Sequence, residues 1–187
     1  IRDSYIMDDF EVNDKLKVNA GLRYSIYHHV GPFTRYINGD ISTPDTSIQY
    51  PSGDLIKFYH GLEPRLSMRW LLPDNSSIKA GYSYNYQYVH LTTLSAVSLP
   101  TDIWYPTTDI AKPQIGWQGS VGYFKNFFDD KIETSVEVYY KKMNNMIEYK
   151  EGALPGDNVN DNTDNLLVFG EGWSYGVELF VKKSMGD

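Results

Sequence analysis

The 187-residue chain carries a formal net charge of −7 and no cysteine. The acidic balance excludes the clustered Lys and Arg surface that nucleic acid requires, and the missing thiol excludes disulfides, thiolate metal sites and a cysteine nucleophile. Its longest apolar stretches, "LLVF" at 166–169 and "MRWLL" at 68–72, fall far short of the ~20 residues a spanning helix needs, whereas a spanning strand needs only ~9–11.

Read from the start, the chain is a series of alternating strands. "SYIMDDFEV" opens it untidily and turns at "NDK", 13–15. In "LKVNAGLRYSIYH", Leu16, Val18, Ala20, Leu22, Tyr24 and Ile26 alternate with Lys17, Asn19, Gly21, Arg23, Ser25 and Tyr27. That period of two marks a strand with one apolar and one wet face. A long connection at 29–57 leads to "LEPRLSMRW", where Leu62, Leu66, Met68 and Trp70 alternate with Glu63, Arg65, Ser67 and Arg69. The short turn "PDNSS" precedes "IKAGYSYNYQYVHL", with Ile78, Ala80, Tyr82, Tyr84, Tyr86 and Tyr88 on one phase. Another long connection, 91–113, leads to "IGWQGSVGYF" and the short turn "KNFFDDK". "IETSVEVYYKK" follows, then a long connection at 150–165, then "WSYGVELFVK". The spacing predicts about seven strands and no helix.

Short Asn- and Asp-rich turns alternate with long loops throughout. In an up-and-down sheet this places all turns on one rim and all loops on the other, the layout of a transmembrane β-barrel. The expected fold class is therefore all-β: a segment of an antiparallel up-and-down transmembrane barrel with short periplasmic turns and long extracellular loops. The alternative is a soluble β-sandwich acting as a carbohydrate-binding or adhesin module. Sandwich strands usually run about 5–6 residues, shorter than the alternation sustained here. Under the barrel reading the tyrosine ribbon meets lipid and its interfaces. The polar phase meets an aqueous or protein-filled lumen.

"YHGLEPRLSMRWLLPDNSSIKAGYSYNYQYVHL", "ETSVEVYYKKMNNMIEYKEGA" and "LLVFGEGWSYGVELFVKK" resemble the barrel of TonB-dependent outer-membrane receptors. The likeness is greatest to the Bacteroidetes type with a carboxypeptidase-regulatory-like extension, and it covers essentially the whole chain. The resemblance implies an outer-membrane importer of scarce solutes, not an enzyme. It implies a 22-stranded barrel of which residues 1–187 form about a third, with the plug domain, TonB box and remaining strands outside this sequence. It also implies energy coupling to TonB–ExbB–ExbD through those other parts. Outer-membrane lipid, lipopolysaccharide and a surface lipoprotein are the further expected partners. The family supplies no catalytic or ligand-contacting residues that carry over.

The expected lumen-facing charges are Arg23, Glu63, Arg65, Arg69, Glu133, Glu137 and Glu178. They would hold a plug by exchangeable salt bridges, line a solute path, or simply wet the lumen. Trp104 and Tyr105 in "PTDIWYPTTD" are the candidate ligand-contacting loop residues. His28, His29, His60 and His90 lie near loop-side strand ends. Parity directs His28, His60 and His90 outward to the rim, toward contact with lipid phosphates or simple interfacial placement rather than a shared metal. No cofactor is expected, apart from Ca²⁺ as a candidate in the oxygen-rich 156–165 loop with Asp157, Asp161 and Asp164. The bland reading of that loop is solvated turn chemistry. No Ser/His/Asp set or carboxylate pair supports hydrolysis.

Overall fold

A computed structural model of the chain describes residues 1–37, 46–92, 102–153 and 162–183. Eleven strands occur in chain order: β1 (Arg2–Asn13), β2 (Leu16–Val30), β3 (Phe33–Ile37), β4 (Thr46–Tyr50), β5 (Leu55–Leu72), β6 (Ser76–Gln87), β7 (Val89–Thr92), β8 (Ile103–Pro106), β9 (Gln114–Phe127), β10 (Ile132–Tyr149) and β11 (Leu167–Lys183). Seven of them form one sheet in the order β1-β2-β5-β6-β9-β10-β11, every pairing antiparallel. The other four make two ribbons, β3–β4 and β7–β8, inside the first two long connections.

The turns follow from local chemistry. Asp74 and Asn75 adopt φ of 60° and 51°, a left-handed conformation that short Asx side chains tolerate. Asn13 accepts hydrogen bonds from the Lys15 and Leu16 amides, both at 2.9 Å, and so closes the β1–β2 turn. Asn145, at φ 56°, sits where the β10–β11 register shifts and donates to the Pro113 carbonyl at 2.8 Å.

Register keeps each phase on one face. One cross-strand row reads Phe10, Val18, Met68, Ala80, Val121, Val138, Val177. The adjacent row, on the opposite face, reads Glu11, Lys17, Arg69, Lys79, Gly122, Glu137, Glu178. The alternation in each strand thus adds up to an apolar and a polar side of the whole sheet.

Burial is inverted relative to a soluble domain. The largest fully buried side chains are His90, Glu63, Thr107, Thr108, Asp164 and Ser25, all polar. Leu22, Leu62, Leu66, Trp70, Tyr82, Val121, Val138 and Val177 lie exposed on the apolar face. Among the described residues no second sheet covers them, so the sandwich alternative does not describe this chain. What core exists lies at the loop end, where Tyr27, Tyr88, Ala111, Tyr149 and Leu167 are buried.

The tyrosine ribbon departs from its expected phase at that end. Tyr82 lies exposed on the apolar face, but Tyr88 is buried on the polar side, its hydroxyl 2.8 Å from Ser25 Oγ. Its ring stacks on Tyr27 at 5.4 Å and on Tyr86 at 6.1 Å. The cause is the strand break between β6 and β7 at residue 88, which frees Tyr88 from the alternation. His90 is carried with it. Expected at the outer rim, it is instead 1% exposed and 3.2 Å from Thr107 Oγ1.

Two open sheet edges and one bare apolar face make residues 1–187 insoluble alone. Refolding them in detergent-free buffer should give aggregate by sedimentation, and detergent micelles should rescue monodisperse, β-rich particles. A well-dispersed monomer without detergent contradicts the burial pattern.

Candidate functional site: the polar face and its loop cap

The seven charges expected on one face do share it, by register. Their partners differ. Arg23 lies 3.0 Å from Asp3 and 3.9 Å from Glu63. Glu63 is 1% exposed, and its Oε1 has no hydrogen-bond partner. Arg65 donates to Asn85 Oδ1 at 3.2 Å, and Glu133 pairs with Lys182 at 3.6 Å. Arg69 stands in register between Lys17 and Lys79, while Glu137 stands opposite Glu178. Like charges placed directly opposite destabilise a sheet. Lys17 is offset by its ion pair with Glu11, whereas Arg69, Glu137 and Glu178 make no ion pair among the described residues and leave charge facing the space beside the wall.

At the loop end three connections fold inward and lock together. The first supplies Arg35 from β3, buried to 4% exposure. The third supplies Asp164, 1% exposed, from a short 3-10 turn at Thr163–Leu166. Arg35 Nη1 donates to both Asp164 oxygens at 2.7 and 2.8 Å. The second connection supplies Asp109, which takes a hydrogen bond from Arg35 Nη2, and Thr108, whose hydroxyl donates to Asp164 Oδ2. Burial opposes the charge on Arg35. The hydrogen bonds and negative charge of Asp164, then those of Asp109, outweigh it and raise the guanidinium further above its ordinary range.

Backbone contacts extend the lock. Asn162 accepts from the Tyr36 amide at 2.7 Å and donates to the Thr34 carbonyl at 2.9 Å, standing in for a strand neighbour of β3. Segment 107–111 is held on the polar face by the Tyr27 and Tyr59 hydroxyls, each donating at 2.8 Å to the carbonyls of Thr107 and Thr108. Gly31 lies so near the chain at 50–51 that a Cβ would fall 2.1 Å from the Pro51 carbonyl oxygen. Only glycine permits that approach.

The candidate ligand loop is split by its own strand geometry. Trp104 is 67% exposed. Tyr105, the next residue of β8, points to the other side, where burial and then the charge of Asp164 raise its hydroxyl above the ordinary phenol range. The expected joint platform is therefore a lone tryptophan outside and a tyrosine packed within the cap. Asp164, the described acidic residue of the 156–165 loop, pairs with Arg35. Asp157 and Asp161 lie outside the described residues. Among the described residues no group of three His, Asp or Glu could hold a metal ion. His28 and His60 are exposed on the apolar side, and His29 lies against Phe33 at 4.9 Å between ring centres. The Arg35 cluster escaped sequence reading because its members are about 75 and 130 residues apart, with no spacing motif between them.

Removing the cation should loosen the cap while sparing the wall. Arg35→Met in the full-length protein leaves Asp164 buried and unpaired, a local cost of ~3–5 kcal/mol. Hydrogen exchange should speed up in 31–37, 107–111 and 162–167 and stay unchanged in β9 and β10. Unchanged loop exchange would show that Arg35 does not hold the loops.

Comparisons with known proteins agree with this architecture. No curated protein sequence matches the chain. Solved structures that share the fold include two outer-membrane receptors. The ferric-catecholate import receptor Fiu from Escherichia coli K12, in its closed form, matches with a TM-score of 0.56 at 14% identity, covering 98% of this chain and 25% of that one. The alcaligin outer-membrane receptor FauA from Bordetella pertussis matches with a TM-score of 0.54 at 13% identity, covering 98% and 27%. The chain thus spans about a quarter of the length of these receptors. The profile of the TonB dependent receptor-like β-barrel family matches residues 2–184. A wall apolar outside, polar inside and capped by long loops at one rim belongs to that family, and so does this chain.

Proposed function

We propose that the complete protein is an active importer of the outer membrane, which binds a scarce solute at the cell surface and passes it to the periplasm. The observation that carries this reading is the inverted burial: exposed Leu, Val and Trp on one face, and buried Glu63, His90 and Asp164 on the other. In a bilayer the first face loses its penalty, and the second lines the barrel interior. Arg23, Glu63, Arg65, Arg69, Glu133, Glu137 and Glu178 are then lumen residues. The like-charged rows at Arg69 and at Glu137–Glu178 meet their neutralising partners in whatever fills the lumen. Energy comes from TonB–ExbB–ExbD through parts of the protein beyond these residues.

The solute contacts belong to the cap. Loops on a rigid scaffold carry binding, and Trp104 is the large exposed aromatic side chain on the β7–β8 ribbon. The ferric catecholate and alcaligin named for the two solved receptors do not identify the solute here, because 13–14% identity carries the fold alone.

The reading is tested with the full-length receptor. Mass spectrometry of co-purified molecules identifies the solute, and its labelled form is followed into cells with and without TonB. Uptake should vanish without TonB, while surface binding persists. Trp104→Ala should weaken that binding about tenfold or more, as for an exposed aromatic anchor, with barrel folding unchanged on heat-modifiable gels. Equal uptake with and without TonB would refute active import.

A further inference from the structure

The seven-stranded wall has one interrupted seam. β5 and β6 pair from Leu72↔Ser76 to Arg65↔Ser83 and no further. Beyond that point Leu55–Pro64 has only β2 as a partner, and Tyr84–Gln87 only β9. The interruption begins at Pro64, which has no N–H to offer a neighbouring strand. Three residues on, Gly61 leaves room for the Tyr86 ring, whose nearest carbon is 2.3 Å from where a Cβ would stand. Among the described residues, this is the seam in which both neighbouring strands run on for several residues without each other; where β9–β10 and β1–β2 end early, it is because β9 and β1 themselves end.

The result is a notch of roughly 600 Å³, lined by Tyr24, His60, Leu62, Pro64, Tyr84 and Tyr86. Next to it, beyond the Leu66↔Tyr82 pair, lies an almost wholly apolar groove of roughly 420 Å³ over Ala80 and Gly119, with Val121 and Val138 along it. Toward the loops the notch adjoins a patch of rings. His28 lies 5.1 Å from Phe58, Phe58 5.5 Å from His60, and His60 5.9 Å from Tyr24, centre to centre. Both imidazoles are exposed and make no hydrogen bond or ion pair among the described residues.

We propose that this notch seats one phosphate-bearing lipid of the outer leaflet. An acyl chain lies in the notch and the groove beyond it, and the phosphate meets His28, His60 and the Tyr24 hydroxyl. The inference rests on the family's orientation, which puts the loop rim at the cell surface and the apolar face in the bilayer. At that depth a strand edge without a partner needs polar atoms that alkyl chains cannot supply. The ester and phosphate oxygens of a lipid supply them beside an apolar trough. An added protein strand is a poorer occupant, because the Tyr86 ring lies across the β5 edge at Gly61.

Native mass spectrometry of the delipidated full-length receptor tests the seat. The probes are 1-palmitoyl-2-oleoyl-phosphatidylglycerol and the diacylglycerol with the same chains. The receptor should bind one saturable equivalent of the phospholipid. The double variant H28Q/H60Q should lose about tenfold in phospholipid affinity, the scale of a charged hydrogen bond, while diacylglycerol binding stays unchanged. L62W, which fills the notch, should lose both lipids. Heat-modifiable gel mobility checks that the variants are folded. No saturable equivalent, or equal phospholipid binding by L62W and the unsubstituted receptor, would overturn the seat. Because binding is read by mass, neither outcome depends on whether the receptor imports a solute.

Discussion

Seven strands holding one register phase is the constraint on which the rest of the structure depends. Each strand alternates on its own, but only the pairing aligns Val18, Met68, Ala80, Val121, Val138 and Val177 in one row and Lys17, Arg69, Lys79, Glu137 and Glu178 in the next. A slip of one residue would put charged or amide side chains into the apolar face. Outside the β5–β6 notch, backbone groups are satisfied between neighbours, which suits a medium without water, and the side chains then divide the surroundings into lipid and lumen. Loops, cap and notch are all arranged around that division.

The cap shows how such a wall carries a specific upper structure with only a small hydrophobic core, Tyr27, Tyr88, Ala111, Tyr149 and Leu167. Its interior is Arg35, Asp164, Thr107, Thr108 and His90, held by directed hydrogen bonds. A buried ion pair gains little net stability, because desolvation offsets the Coulomb attraction. It does penalise every arrangement that separates its members. Arg35 sits between Asp164 and Asp109, so displacing one loop exposes or strands a charge on the others. Burial also lowers the pKa of His90, which favours the neutral ring inside the cap. Trp104 stands outside this lock, on a ribbon whose base is fixed by the Thr107 amide donating to the Tyr88 carbonyl at 2.9 Å.

Much of this was legible in the sequence. Period-two patterning placed five of the seven barrel strands cleanly and β1 and β9 less tidily, and Asn/Asp turn chemistry separated short connections from long ones. The polar phase of Arg23, Glu63 and Arg69 followed from counting. Besides the Arg35 cluster, three things were not legible, for physical reasons. The β3–β4 and β7–β8 ribbons are only four or five residues per strand, too short for alternation to register. Tyr88 and His90 kept the apolar phase in sequence, yet a break at residue 88 let tertiary packing turn them inward. Pro64 sits on the apolar phase of "LEPRLSMRW" and reads there as one more outward residue. That it ends the β5–β6 ladder depends on which neighbour its missing N–H would have served, and that is a property of the pairing.

The central claim is that consecutive residues of one strand face two different media. The chain contains no cysteine, so single cysteines can be introduced along β10 at 134–141 of a full-length receptor free of other accessible thiols. Each is spin-labelled in bilayers, and its collisions with oxygen and with a water-soluble nickel chelate are measured. Oxygen accessibility should peak at positions 134, 136, 138 and 140. The nickel chelate should show the opposite phase, at 135, 137, 139 and 141, wherever the lumen is wet. A flat oxygen profile, or oxygen peaks at the odd positions, would contradict the two-faced wall.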